Sequence, residues 1–174
     1  FFSPSVPIQF SIRDELQHAQ SYMNIQKVRY KNKFQITFDV DSDILDCCIV
    51  KLILQPILEN AINYGVREMD DCGEIIVQGR KEEDEILFTI ADNGMGIPEE
   101  EIEFLLTDTQ RVHKKGSGVG LVNVNNRIKI LFGEEYGLHI ESELDEGTTV
   151  SIRIPAIIYS EENRKKFENT SKSS

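Results

Sequence analysis

"EIIVQGRKEEDEILFTIADNG", residues 74–94, reads as two strands around a charged turn near Glu83-Asp84, the pattern of an antiparallel hairpin. This hairpin supplies the middle of a sheet, and what flanks it decides the class of fold. Upstream, "FQITFDV" alternates without a break, with Phe34, Ile36, Phe38 and Val40 on one face and Gln35, Thr37 and Asp39 on the other, a half-buried strand. Downstream, "GLHIESEL", a "DEGT" turn and "TTVSIRIP" predict a closing hairpin with Val150, Ile152 and Ile154 on one face. Helical segments separate these strands. "RDELQHAQSYMNIQKVRYKN" brings Leu16, Ala19, Met23 and Tyr30 round at near-helical spacing and predicts a helix over 13–31. "CCIVKLILQPILENAINYG" predicts a second helix, stopped by Gly65 and bent by Pro56 within it, followed by a polar connection over 66–73. "IPEEEIEFLLTDT" opens near Pro98 with Glu99, Glu100 and Glu101 in its first turn, as short helices do, and "VGLVNVNNRIKILFG" predicts a third major helix stopped by Gly133. Strands alternating with helices, with at least two strand pairs as hairpins and no internal repeat, predict an α/β fold: a two-layer α/β sandwich with a mixed sheet.

The chain's 174 residues, 40% of them apolar, suffice for one real core and make a second domain an uneconomical reading. A net charge of −11 argues against a nucleic-acid surface or an anionic-membrane contact, both of which are met by clustered Lys and Arg. Any anion site must therefore be local. No run approaches eighteen apolar residues, and the Pro-broken start "FFSPSVPIQF" lacks a basic region and a small-residue cleavage site, so a soluble chain is expected. Cys47, Cys48 and Cys72 form neither an even disulfide set nor four tetrahedral ligands, which suits a reducing cytoplasm, and His18, His113 and His139 make no ligand pair. Residues 1–12 are read as an N-terminal segment and 13–155 as the domain. The charged, Ser-rich stretch from 156 to 174 is read as a disordered tail with no core to join.

Three stretches carry candidate chemistry. On the second helix a wheel gathers Ile53, Leu54, Ile57, Leu58, Ala61 and Ile62 into one arc and sets Glu59, Asn60 and Asn63 opposite. That stripe reads either as a solvated polar face or as hard oxygen ligands of the kind Mg²⁺ takes alongside substrate phosphates. In "IADNGMGIP" Asp92 ends a strand and Gly94 and Gly96 follow. It reads either as an Asp-Asn-Gly turn or as a carboxylate placed to accept from an exocyclic amine, with glycines letting backbone approach the ligand. In "KKGSGVGL" the glycines Gly116, Gly118 and Gly120 precede a helix, with Arg111, His113, Lys114 and Lys115 just before them. A flexible joint and a phosphate cradle of N–H donors at a helix N-terminus both fit. A P-loop is excluded, because no Lys-Ser/Thr follows the last glycine, and G-x-G-x-x-G fails on spacing.

Taken together, "ENAINY", "DNGMGIP" and "GSGVGL" in this order resemble the N, G1 and G2 boxes of the GHKL ATP-binding superfamily of gyrase, heat-shock chaperone, histidine kinase and mismatch-repair ATPases. "DELQHAQSYMNIQKVRY", "LQPILENAINYG" and "GVGLVNVNNRIKILFG" look most like sensor histidine kinases of the LytS/YesM type, and the resemblance covers about residues 13–155. It implies the Bergerat sandwich, with helices on one face of a mixed sheet and ATP between them under a lid spanning 108–117. By that resemblance Asn60 would hold Mg²⁺ against the phosphates and Glu59 would polarise the metal or its water. Asp92 would accept from adenine N6, with Gly94 and Gly96 shaping the base pocket. Lys114, Lys115, Gly116, Gly118 and Gly120, with Leu121 beside them, would wrap the triphosphate. Two departures stand out. Asn63-Tyr64 occupies the place where the branch usually has a basic residue and then His, so that Tyr64 could instead stack near the nucleotide. The phosphoacceptor histidine in its Pro-His-Phe context does not occur, and His18 lacks that context.

The resemblance thus implies the catalytic domain of a two-component kinase, cytoplasmic in a membrane-anchored sensor. It would pass the γ-phosphoryl of ATP to a histidine on a separate dimerisation domain, with a response regulator downstream. The alternatives are a GHKL ATPase that hydrolyses ATP, with Glu59 as base, and a nucleotide-sensing module.

Overall fold

In the computed structural model, which describes residues 9–107, 119–163 and 165–166, the central hairpin is formed by β4 (Gly73–Glu82) and β5 (Glu85–Asp92). The turn between them puts Glu83 at φ +55°. β5 pairs on its other side with β7 (Gly147–Pro155), β7 with β6 (Gly137–Glu143), and β4 with β2 (Phe34–Val40), giving the order β2-β4-β5-β7-β6. Among the described residues only β2 and β4 run parallel. A parallel pair needs a crossover rather than a hairpin, and residues 41–72 provide it. The register aligns Val77, Ile90 and Val150 in one row and Gly79, Phe88 and Ile152 in the next, all buried. Gln78, Thr89, Ser151 and His139 form a polar row on the opposite face. Buried residues thus alternate with more exposed ones along the strands of this sheet, and the helices cover the buried side.

Among the described residues four helices supply that cover. α1 (Ile12–Arg29) is capped by the Ser11 hydroxyl, which accepts from the Asp14 N–H at 3.2 Å, and buries Ile12, Leu16, Ala19 and Met23. α2 spans Leu54–Asn60, α3 Glu99–Thr107 and α4 Val119–Phe132, the last ending at Gly133 with φ +117°. Leu54, Ile57 and Leu58 of α2 join Leu121, Val124 and Ile128 of α4 and the buried strand residues in one core. Among the described residues no helix is long and apolar enough to cross a membrane.

The second predicted helix is corrected at both ends. Its first residues form a strand, β3 (Cys48–Val50), paired antiparallel with β1 (Gln9–Ser11) in a separate two-stranded sheet. Leu52 follows at φ +61°, a left-handed backbone that no helix interior accepts, so α2 begins only at Leu54. Pro56 therefore lies in the first turn, where its missing N–H has no intrahelical partner to lose, and bends nothing. Nor does Gly65 stop the helix. The chain widens into a π-helical turn over Ala61–Val66, with the Arg67 N–H donating to the Ile62 carbonyl at 3.0 Å.

The expectation that nothing after 156 joins the core is also revised. The Cys48 N–H donates to the Ile157 carbonyl at 2.6 Å, the Tyr159 N–H donates to the Asp46 carbonyl at 2.7 Å, and Ala156 packs on the core. The apolar "AIIY" at 156–159 extends the small sheet before the charged residues begin.

Candidate nucleotide site

Asp92 is the last residue of β5, and the residues around it hold its carboxylate closely. Its Oδ1 accepts from the Gly94 N–H at 2.9 Å, and the N–H of Thr148, its cross-strand partner on β7, also donates to the carboxylate. Burial pushes the carboxyl up to about 6, against the pull of those two N–H groups. Asn93 points elsewhere: its Oδ1 accepts from the Glu74 N–H at 2.7 Å, which fixes the turn leaving the strand.

Two glycines lock this turn onto the π-helical turn of the Asn60 helix. A Cβ on Gly65 would sit 2.6 Å from Asp92 Oδ1, and one on Gly94 would run into the Gly65 backbone. Only two glycines permit the approach, and the Met95 N–H then reaches the Gly65 carbonyl at 3.3 Å. Gly96 takes φ +78°, with the Glu143 carbonyl against the place a side chain would need. The strand end that bears Asp92 and the helix that bears Asn60 are thereby set in direct backbone contact.

Asn60 is 2% exposed, and among the described residues its Oδ1 has no hydrogen-bond partner. An unpaired buried amide oxygen costs about 1–3 kcal/mol, a cost that a bound cation or donor would remove. An amide carbonyl is the hard oxygen ligand that Mg²⁺ accepts, so the donor chemistry fits the metal. Contrary to the helix wheel, Asn60 does not share a polar face with Glu59, which is exposed. The Glu59 charge is felt instead by Tyr22 of α1, whose phenol burial and that charge push up to about 12. Asn63 and Tyr64 are half-buried, with Tyr64 packed against the core. A Cβ on Gly120 would lie 3.0 Å from Pro56 Cβ, so α4 starts against the first turn of α2, while Leu121 is fully buried beneath it. Lys114, Lys115, Gly116, Gly118 and the 108–117 lid lie outside the described residues.

Three contributors escaped the sequence reading. Gly65 appeared only as a helix stop. Thr148, 4% exposed, shares a 2.7 Å hydroxyl contact with Ser142 on β6. Glu15 is 1% exposed, and its carboxylate accepts from the N–H groups of Leu52, Ile53 and Leu54 at 3.0, 3.0 and 3.2 Å, closing the start of α2. Burial pushes the Glu15 carboxyl up, and the three N–H groups oppose the shift. Its signal was available, since Glu15 lies on the apolar stripe of Ile12, Leu16, Ala19 and Met23.

A carboxylate at a strand end, locked by glycines to a helix with an unpaired buried amide, on a mixed sheet covered on one face, defines a class of nucleotide-binding α/β sandwich. The fold matches the nucleotide-free catalytic domain of histidine kinase ThkA, with a TM-score of 0.66 and 17% identity over 86% of this chain and 95% of that one. It also matches the histidine kinase domain of the Erythrobacter litoralis EL346 blue-light activated histidine kinase, with a TM-score of 0.62 and 18% identity over 97% of this chain and 69% of that one. Residues 49–158 match the Histidine kinase-, DNA gyrase B-, and HSP90-like ATPase family, and the chain belongs to it. In sequence it is similar to the sensor protein LytS of Bacillus cereus, 34% identical over 151 residues, covering 87% of this chain and 26% of that protein. It is likewise similar to the sensor histidine kinase YesM of Bacillus subtilis, 36% identical over 145 residues, covering 83% of this chain and 24% of that protein. The chain spans about a quarter of the length of these curated relatives.

Proposed function

We propose that the chain is the ATP-binding catalytic domain of a sensor histidine kinase, which positions Mg-ATP for transfer of its γ-phosphoryl group to a histidine on a dimerisation domain of the same parent protein. A response regulator is then the downstream acceptor, and the parent is a membrane-anchored sensor with this domain in the cytoplasm. The observation that carries the reading is Asn60 Oδ1, buried and without a protein partner among the described residues, on the helix that the Gly65–Gly94 contact joins to Asp92.

In this reading Asp92 accepts from the adenine N6 amine, and Gly94 and Gly96 shape the wall under the base. Asn60 Oδ1 holds the metal, with Glu59, Asn63 and Tyr64 along the same helix. Lys114, Lys115, Gly116, Gly118 and Gly120 meet the phosphates, and Leu121 packs below. Mg²⁺, when bound, neutralises phosphate charge, and the chain's own part is to hold nucleotide in line for an incoming imidazole.

The test is calorimetric titration of ATP into wild type and Asn60→Ala, with Mg²⁺ and with EDTA. Wild type should bind ATP more tightly with Mg²⁺, by about tenfold or more, and Asn60→Ala should lose that increment while keeping its metal-free affinity. An increment that survives the substitution overturns the role of Asn60. Absence of ATP binding by wild type overturns the function itself.

A further inference from the structure

The Ser142 hydroxyl is engaged three times, and counting its hydrogens fixes the polarity of a neighbour. The Ile97 N–H donates to Ser142 Oγ at 2.7 Å. Ser142 Oγ in turn donates to the Gly147 carbonyl at 3.0 Å. Thr148 Oγ1 lies 2.7 Å from the same oxygen. A hydroxyl has one hydrogen and two lone pairs. A carbonyl only accepts, so the Ser142 hydrogen goes to Gly147. The Ile97 amide takes one lone pair, and only the other remains for Thr148, which must therefore be the donor. The single hydrogen of Thr148 is thus committed to Ser142, and the rest of its Oγ1 can only accept.

Thr148 sits directly across from Asp92 in the β5–β7 register, on the same face of the sheet, and its N–H already donates to the Asp92 carboxylate. The two side chains side by side make a wall that offers acceptors alone. The same serine holds the loop beneath that wall. Besides the Ile97 N–H it fixes the β6–β7 turn, whose Asp145 N–H donates to the Met95 carbonyl at 2.9 Å.

We propose that Ser142 is a specificity-positioning residue: by taking the hydroxyl proton of Thr148 it keeps the Asp92–Thr148 wall acceptor-only, so the site takes a purine with an exocyclic amine and rejects one with a carbonyl there. This rests on the proposed ATP-binding function, and it adds a discriminating device that acts through Thr148. Removing the Ser142 oxygen frees the Thr148 hydroxyl to turn its hydrogen toward a ligand carbonyl.

Competitive titration of ATP against inosine triphosphate tests it, since the two carry the same phosphates and differ by an amine against a carbonyl at the purine 6-position, with N1 changing from acceptor to N–H donor beside it. The measurement is made at pH 8, where Asp92, titrating at about 6, is charged. Wild type should favour ATP by about a hundredfold, roughly tenfold for each mispaired acceptor. Ser142→Ala should narrow that ratio about fivefold or more, with ITP binding improved. General loosening of the loop would weaken both nucleotides together and leave the ratio unmoved. The double variant Ser142→Ala with Thr148→Val should lose the ITP gain, because the rotating hydroxyl is gone. Thr148→Val alone should weaken ATP more than ITP, because the 6-amine loses an acceptor while the ITP carbonyl loses none. An unchanged ratio in Ser142→Ala, or ATP binding untouched by Thr148→Val, overturns the role of Ser142 while leaving the ATP site standing. No ATP preference in wild type overturns the acceptor-only wall and with it the role of Ser142, whereas absence of ATP binding overturns the proposed function.

Discussion

Asp92 holds function and stability in opposition at a single residue. Its folded-state carboxyl titrates at about 6 against an ordinary value of 3.8, with burial as the first cause. The fold therefore disfavours the charged form that adenine recognition needs. Because the folded value is raised, the carboxyl costs nothing below the unfolded value, where it is protonated in both states. The cost grows as pH rises from about 4 and is complete above about 6. A shift of this size corresponds to about 3 kcal/mol at most. Asp92→Asn, which removes the charge and keeps the shape, should raise the stability of the free domain by about 1–3 kcal/mol at pH 7.5 in urea unfolding. That gain should shrink towards zero at pH 4, while adenosine binding at neutral pH is lost. A gain of equal size at both pH values would show that desolvation of the carboxylate is not its cause. Adenosine serves better than ATP here, because its lack of phosphates leaves Asp92 as the group titrating near 6.

At the scale of elements, the site depends on one contact between two irregular segments, the π-helical turn over Ala61–Val66 and the loop leaving β5. Gly94→Ala puts a methyl into the Gly65 backbone, and neither segment can retreat without moving Asp92 or the helix bearing Asn60. The substitution should destabilise by about 2 kcal/mol or more by overpacking, and it should weaken ATP beyond what the stability loss explains. Thermal unfolding and titration at a temperature where the variant remains folded would separate the two effects. These elements also mark where the sequence was legible. Both hairpins and the helix end at Phe132 could be read because alternation, charged turns and a stop glycine are local signals, while α1 ends at Arg29, two residues before the expected 31. β3 could not, since Cys48-Ile49-Val50 is a short apolar run without a period, and its strand character comes from pairing with β1 far away in the chain. The π-helical turn escaped for a related reason. A wheel at a fixed angle cannot register a widened turn, and within regular α2 it grouped buried Asn60 with exposed Glu59 because burial is set by what packs over the helix. Asp92, Gly94 and Gly96 were legible as a motif, but the partners Gly65, Ser142 and Thr148 become visible only when β5, β6 and β7 are in register.

In the whole molecule, segment 45–50 lies between the two ends of the described chain. On one side Gln9–Ser11 pair with Cys48–Val50, and the N–H groups of Ile12 and Arg13 donate to the carbonyls of Cys47 and Leu45, each at 2.9 Å. On the other side lie the bonds to Ile157 and Tyr159. The segment then passes through Leu52 to the start of α2, where Glu15 receives three N–H groups and Arg127 of α4 donates to the Lys51 carbonyl. The residues after β7 are therefore coupled mechanically to the helix that carries Asn60, although they lie well away from Asp92. Ending the chain at Pro155 leaves the buried Cys48 N–H and the Asp46 carbonyl to find water, at about 1 kcal/mol for each bond lost. The truncated domain should be less stable by about 1–3 kcal/mol, and its Cys48 amide should exchange hydrogen faster by an order of magnitude or more. Amides of the β4–β5 pair, held by the central sheet, should change only by the global loss. Faster exchange spread evenly over Cys48 and the β4–β5 core would mean that the tail stabilises the domain as a whole and does not act locally on α2. Exchange confined to Cys48 and the first turn of α2 would establish the local route, and ATP affinity should then fall with it, because Asn60 is carried on that helix.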